Sequence, residues 1–174
     1  MVSLSLEASA QDAVKWWDIA CVHAKMSVPA GLRCKTTQNY ASQSNWGGNA
    51  GGTFRQWQAL GQVGGVLYFY GLEEATSLEA SLAPAGALQD QIKAEMGTAN
   101  AARNFSALVH RRGVDFMTFT AGSNDSCVAL RRYGPSSGAE YKWILSALRC
   151  GPAGRPTTEA DIDAFIAGAT VRGS

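Results

Sequence analysis
The apolar positions of this chain change their period along its length. Between Ala10 and Lys25 they recur at helical spacing. At about 100° per residue, Ala13, Val14, Trp16, Trp17, Ala20, Cys21 and Ala24 share one broad face. Asp12, Lys15, Asp18, Val22 and Lys25 fall on the other. Ser9 supplies an N-cap oxygen, so the pattern predicts a helix over 10–25, ended by Val28-Pro29-Ala30-Gly31. Leu32 to Thr36 then reads as a short extended segment, and Phe54 to Leu60 as a short helix or an irregular strand. The run Val66-Leu67-Tyr68-Phe69-Tyr70 makes Gly64 to Leu72 the strongest strand.

Glu73 to Gly97 is expected to be helical in two pieces broken at Pro84-Ala85-Gly86, with Leu88, Ile92 and Met96 on one face of the second. Phe105 to His110, Val114 to Thr120 and Ser126 to Tyr133 follow as strands at hairpin spacing. Glu140 to Cys150 favours a strand: Tyr141, Trp143, Leu145 and Ala147 then lie together, whereas a helix would strand Trp143 opposite the other apolar residues. A last helix opens at Thr158 with Asp161 in the answering position, and Ile162, Phe165, Ile166 and Ala169 form its apolar stripe. The sum is an α+β fold, a mainly antiparallel sheet with N-terminal and C-terminal helices packed on it. It is expected as a single domain over 10–170, behind an N-terminal tail of residues 1–9 left from a signal peptide or from cloning.

Length and charge narrow the class. At 174 residues with 46% apolar and 17% charged residues, the chain has enough apolar surface for its own core. A formal charge of +1 with scattered Lys and Arg gives no field for nucleic acid or an anionic membrane surface. Charged residues, Gly or Pro interrupt every apolar run before it reaches bilayer-spanning length, so no membrane span is expected.

The four cysteines, Cys21, Cys34, Cys127 and Cys150, fit neither the close pairs of a zinc knuckle nor a C-x-x-C redox motif. Two disulfides are expected, and of the three possible connectivities the sequence-local one, Cys21–Cys34 with Cys127–Cys150, is preferred. Such bridges persist outside the cytosol. Ala8-Ser9-Ala10 has the small-x-small form of a signal-peptidase site, which joins it to the same expectation of a periplasmic or extracellular protein.

Motifs that carry chemistry are sparse. There is no G-x-S-x-G, no H-E-x-x-H, and the glycine run Gly47 to Gly52 lacks the Lys-Ser/Thr ending of a phosphate loop. Nothing points to a cofactor or a metal. The polar stretch from Asn39 to Thr53 is the candidate ligand site, with Asn39, Tyr40, Asn45, Trp46, Asn49 and the nearby Trp57 suited to hydrogen-bond and stack against a protein, peptide or glycan. The expectation is therefore an exported, disulfide-stabilised, non-catalytic binding or accessory domain of the bacterial envelope. The alternative is a small hydrolase using a Cys or Ser nucleophile with His23 or His110.

Overall fold
The structure, a computed structural model, describes residues 14–41, 52–84, 86–97 and 101–173. It is built around one nine-stranded antiparallel sheet. In chain order the elements are β1 (Trp16–Ile19), a 3-10 turn (Cys21–His23), β2 (Arg33–Thr37), β3 (Tyr40–Ala41), β4 (Thr53–Val63), β5 (Val66–Ala75) and α1 (Leu88–Met96). Then come β6 (Val109–Arg111), β7 (Val114–Ala121), β8 (Asp125–Tyr133), a small β9–β10 hairpin (Ser136–Ser137, Glu140–Tyr141), β11 (Trp143–Cys150) and α2 (Glu159–Gly168). Across the sheet the order is β1-β2-β4-β5-β11-β8-β7-β6, with β3 pairing β4 at its start.

This overturns the expected α+β class. Strand makes up 46% of the described residues and helix 15%, and no N-terminal helix among them packs on the sheet. Trp16–Ile19, read above as helical, pairs with β2 in the register Trp16↔Thr37 to Ile19↔Cys34. An amphipathic helix draws most of its stability from tertiary packing. Here the same Trp and Ile side chains suit a strand, and the free edge of β2 offers backbone partners that a helix could not use. The part of that helix before Val14 lies outside the described residues. The first piece of the second expected helix also fails, because Glu73 to Ala75 extends β5: Glu73 sits between Gln56 of β4 and Ile144 of β11, and ladders on both sides override helical propensity. Phe54 to Leu60 belongs wholly to a strand. Of the segment 105–110 only its end joins β6; Phe105 instead stacks on Phe119 with centroids 5.6 Å apart.

Alternation on the central strands sets two cores. One face carries Trp57, Tyr70, Leu72, Leu130, Leu145 and their neighbours, covered by Ile162, Phe165, Ile166 and Ala169 of α2. The capping box at Thr158 and Asp161 is present. The other face carries Met117, Phe119, Ala129 and Leu148, covered by Leu88, Ile92 and Met96 of α1. The helices thus lie on opposite faces of the sheet. A third cluster, Phe54, Ala80 and Leu82, pins the segment after β5 onto the α1 face.

Each disulfide fastens one strand of the sheet to a neighbouring element. Cys21–Cys34 ties the 3-10 turn to β2, and Cys127–Cys150 joins residues directly opposite each other on β8 and β11. The Gly64-Gly65 turn between β4 and β5 has positive φ at both residues, the geometry that matches strand twist in a two-residue hairpin. At Gly134 the requirement is different: a Cβ there would lie 2.6 Å from the indole of buried Trp143.

Two stability outcomes follow. Gly134→Ala should lower the unfolding free energy in urea titrations by an overpacking cost of about 1–3 kcal/mol, whereas Gly168→Ala, with nothing within 4 Å, should leave it within about 0.5 kcal/mol. Replacing Cys127 and Cys150 together by alanine should cost about 3 kcal/mol in urea unfolding at equilibrium.

Candidate functional site
The face of the sheet that carries α1 is not fully covered, and a cavity of about 300 Å³ opens beside the helix. Strand register explains its floor. Gln58, Gly71, Ser146 and Arg131 are consecutive cross-strand neighbours on β4, β5, β11 and β8. At a strand spacing of about 4.8 Å this polar row spans roughly 14 Å. The next row, two residues along, holds Gln56, Glu73 and Ile144. On the other side Phe69 begins the apolar ground that α1 covers. Gly71 gives the floor its depth: a Cβ there would touch only the Phe69 ring, at 3.5 Å.

The walls come from Asp90, Gln91, Ala94 and Glu95 of α1 and from Ala83 and Pro84 of the preceding segment. Lys142 anchors that segment by donating to the carbonyls of Leu78 and Ala80. Arg131 is 5% exposed, and its guanidinium donates Nε to Gln91 Oε1 at 2.7 Å and Nη1 to the Gly86 carbonyl at 2.8 Å. Ser146 Oγ donates to the same Gln91 oxygen at 3.3 Å. One buried cation therefore clamps α1 and its approach onto the sheet, through charge-assisted bonds to neutral acceptors.

The carboxyls are less well compensated. Glu73 accepts from Tyr40 Oη at 3.1 Å, and burial pushes its carboxyl above the ordinary range, an effect that hydrogen bonds from Tyr40 and Gln56 only partly oppose. Burial, reinforced by Glu73, in turn pushes the Tyr40 phenol up, so it stays protonated and donating. Glu95 is exposed along its helix yet enclosed enough for burial to raise its carboxyl too. Among the described residues no ion pair includes Glu73, Asp90 or Glu95. No group of three or more His, Cys, Asp or Glu among them is arranged to hold a metal ion.

The residues singled out from sequence are dispersed. Tyr40 reaches this cleft through Glu73. Trp57 contributes to the lining of the cleft, but its side chain packs in the core on the opposite face, with the Arg55 guanidinium 5.0 Å above its ring. Asn39 is exposed just before β3, and Asn45, Trp46 and Asn49 lie outside the described residues. Gln56, Gln58, Glu73, Gln91, Glu95, Arg131 and Ser146 were missed. Their signal is the polar half of an alternating pattern, Gln56-Trp57-Gln58-Ala59, whose other face is core.

The hydrolase alternative loses its cysteine form, because all four sulfurs are bridged. His23 is exposed on the 3-10 turn, and His110, also exposed, sits 2.9 Å from Asp115 Oδ1 at a sheet edge. A second groove, about 470 Å³, lies on the α2 face among Tyr68, Tyr70 and Phe165. Its two charged groups meet each other, Arg149 Nη2 donating to Asp161, the carboxylate that caps α2, while Arg149 Nη1 is buried without a hydrogen-bond partner among the described residues. Comparison with models of protein families, with curated proteins and with solved structures finds no match to the chain.

The buried carboxyl has a pH signature. A glutamate raised in the folded state binds its proton more tightly there than when unfolded. Its contribution to stability is full below the ordinary glutamate value and is lost as pH rises through the raised one. Glu73→Gln should therefore flatten the stability profile, gaining on the parent protein between about pH 4 and about pH 7 in urea titrations at each pH. A gain that is the same at both pH values would contradict this account of Glu73.

Proposed function
We propose that this protein is an exported, disulfide-stabilised binding domain of the bacterial envelope that takes a small polar ligand in the cleft beside α1. The cleft carries the reading. It has a floor on four hydrogen-bonded strands, an apolar patch at Phe69, and lining polar groups of which three have no side-chain partner among the described residues. Gln58 makes no side-chain hydrogen bond to another described residue, and Asp90 and Glu95 are likewise unengaged through their side chains. Preformed concave sites with a few placed polar groups are where small ligands bind. Two bridges, and the absence among the described residues of a helix long and apolar enough to cross a membrane, are compatible with an exported domain.

Two experiments test it. Thiol trapping with a maleimide before lysis of the native host should leave all four cysteines unlabelled; labelling of all four would remove the export half of the reading. Screening neutral sugars, free amino acids and aliphatic amines by amide NMR should shift Gln58, Gly71, Ser146 and Gln91 together. Gly71→Leu, which fills the floor at an extended backbone position, should abolish that response while the protein stays folded. Shifts confined to the Tyr68–Phe165 groove would overturn the choice of site.

A further inference from the structure
The cleft is unbalanced in charge, and that imbalance selects among ligands. Its lining includes three carboxyls, Glu73 from β5 and Asp90 and Glu95 from α1, against one cation, Arg131. Arg131 does not neutralise them. Its Nε and Nη1 are committed to Gln91 and to the Gly86 carbonyl, and it takes part in no ion pair with any of the three. The direct partners of Glu73 are neutral, the Tyr40 hydroxyl and the Gln56 amide. β4 and β11 bring no charged group to the lining, only Gln56, Trp57, Gln58, Ile144 and Ser146.

A ligand entering a half-enclosed cleft strips water from these carboxyls. A neutral ligand would deepen a desolvation cost that is already uncompensated, whereas a cation would repay it with a short charge-assisted hydrogen bond. A hard metal ion does not fit, since it needs six or more converging oxygens and no metal-holding group is present among the described residues. The carboxyls are instead distributed. Glu73 stands on the floor, and Asp90 and Glu95 are about 7.5 Å apart along the helix. Between floor and wall lies an apolar stretch: Gly71 leaves the Phe69 ring uncovered, and Ala94 of α1 is small. An aromatic ring beside an acid suits the methylenes and the positive end of an alkylammonium chain.

We propose that the cleft binds a small linear aliphatic amine, its ammonium paired with Glu73 and its chain lying over Gly71 against Phe69 toward the carboxyls of α1. This rests on the reading of the cleft as the ligand site. The test compares 1,5-diaminopentane with its uncharged counterpart 1,5-pentanediol and with glucose, by calorimetry on the intact, oxidised protein. Expected is binding of the diamine at least about tenfold tighter than either neutral probe, weakening with added salt and at about pH 4 relative to about pH 7. Glu73→Gln should weaken the diamine at least about tenfold, and Glu95→Gln less, in proteins whose thermal unfolding shows that they remain folded. Glucose or the diol binding as well as the diamine, with loss on Gly71→Leu, would overturn the amine proposal and leave the cleft as the site. Diamine binding that neither Glu73→Gln nor Gly71→Leu changes would overturn both. No response to any of the three probes would overturn the amine proposal.

Discussion
The pairing of β5 with β11 is the constraint on which the rest of the molecule depends. It joins two halves of the sheet made from distant parts of the chain, β1 to β5 on one side and β6, β7, β8 and β11 on the other, through eight consecutive residue pairs from Trp143↔Glu74 to Cys150↔Leu67. Both strands are central, so neither has a free edge. The register decides which side chains meet. A shift of one residue would exchange the α1 face for the α2 face on the shifted strand, bringing Tyr70 where Gly71 now stands or Ala147 where Ser146 now stands. Cys127–Cys150 lies at the end of β11 and holds the adjoining β8 ladder, so a covalent bond guards one margin of this junction.

From that junction the cleft follows as a consequence of incomplete cover. α1 is a nine-residue helix, too short to cap the whole face, and its apolar stripe is spent on the β7–β8–β11 side. What remains uncovered over β4 and β5 must be polar or capped by something else. It is polar, with Gln56, Gln58 and Glu73 at alternate positions, and Arg131 fastens the helix at the boundary. A buried guanidinium with neutral acceptors is costly to leave half-satisfied, so this contact also fixes where the helix ends and the open floor begins.

This arrangement gives physical content to the binding reading. A rigid floor, a clamped wall and carboxyls held partly out of water together make a surface whose unmet need is positive charge. The opposite face has a groove of larger volume whose two charged groups form an ion pair, with Asp161 both capping α2 and meeting Arg149, and Arg149 Nη1 left without a partner among the described residues. Volume favours that groove, whereas the three carboxyls that join no ion pair among the described residues favour the cleft.

Local chemistry along the chain determined what short-range physics can determine. The capped α2, the helical stripe of Leu88, Ile92 and Met96, the strands at Val66, Val114 and Ser126, and the face shared by Trp143, Leu145 and Ala147 are each legible from spacing within a few residues. The sequence-local disulfides were legible as well, because each cysteine pair flanks a segment that folds back on itself. The first helix was misread for an equally physical reason: Trp16 to Ile19 has a periodicity that serves helix or strand, and only the exposed edge of β2 chooses between them. The cleft was out of reach of the sequence alone. Gln58, Gly71, Ser146 and Arg131 are neighbours through cross-strand register, and that register is set by long-range pairing of β5 with β11, which no local pattern contains.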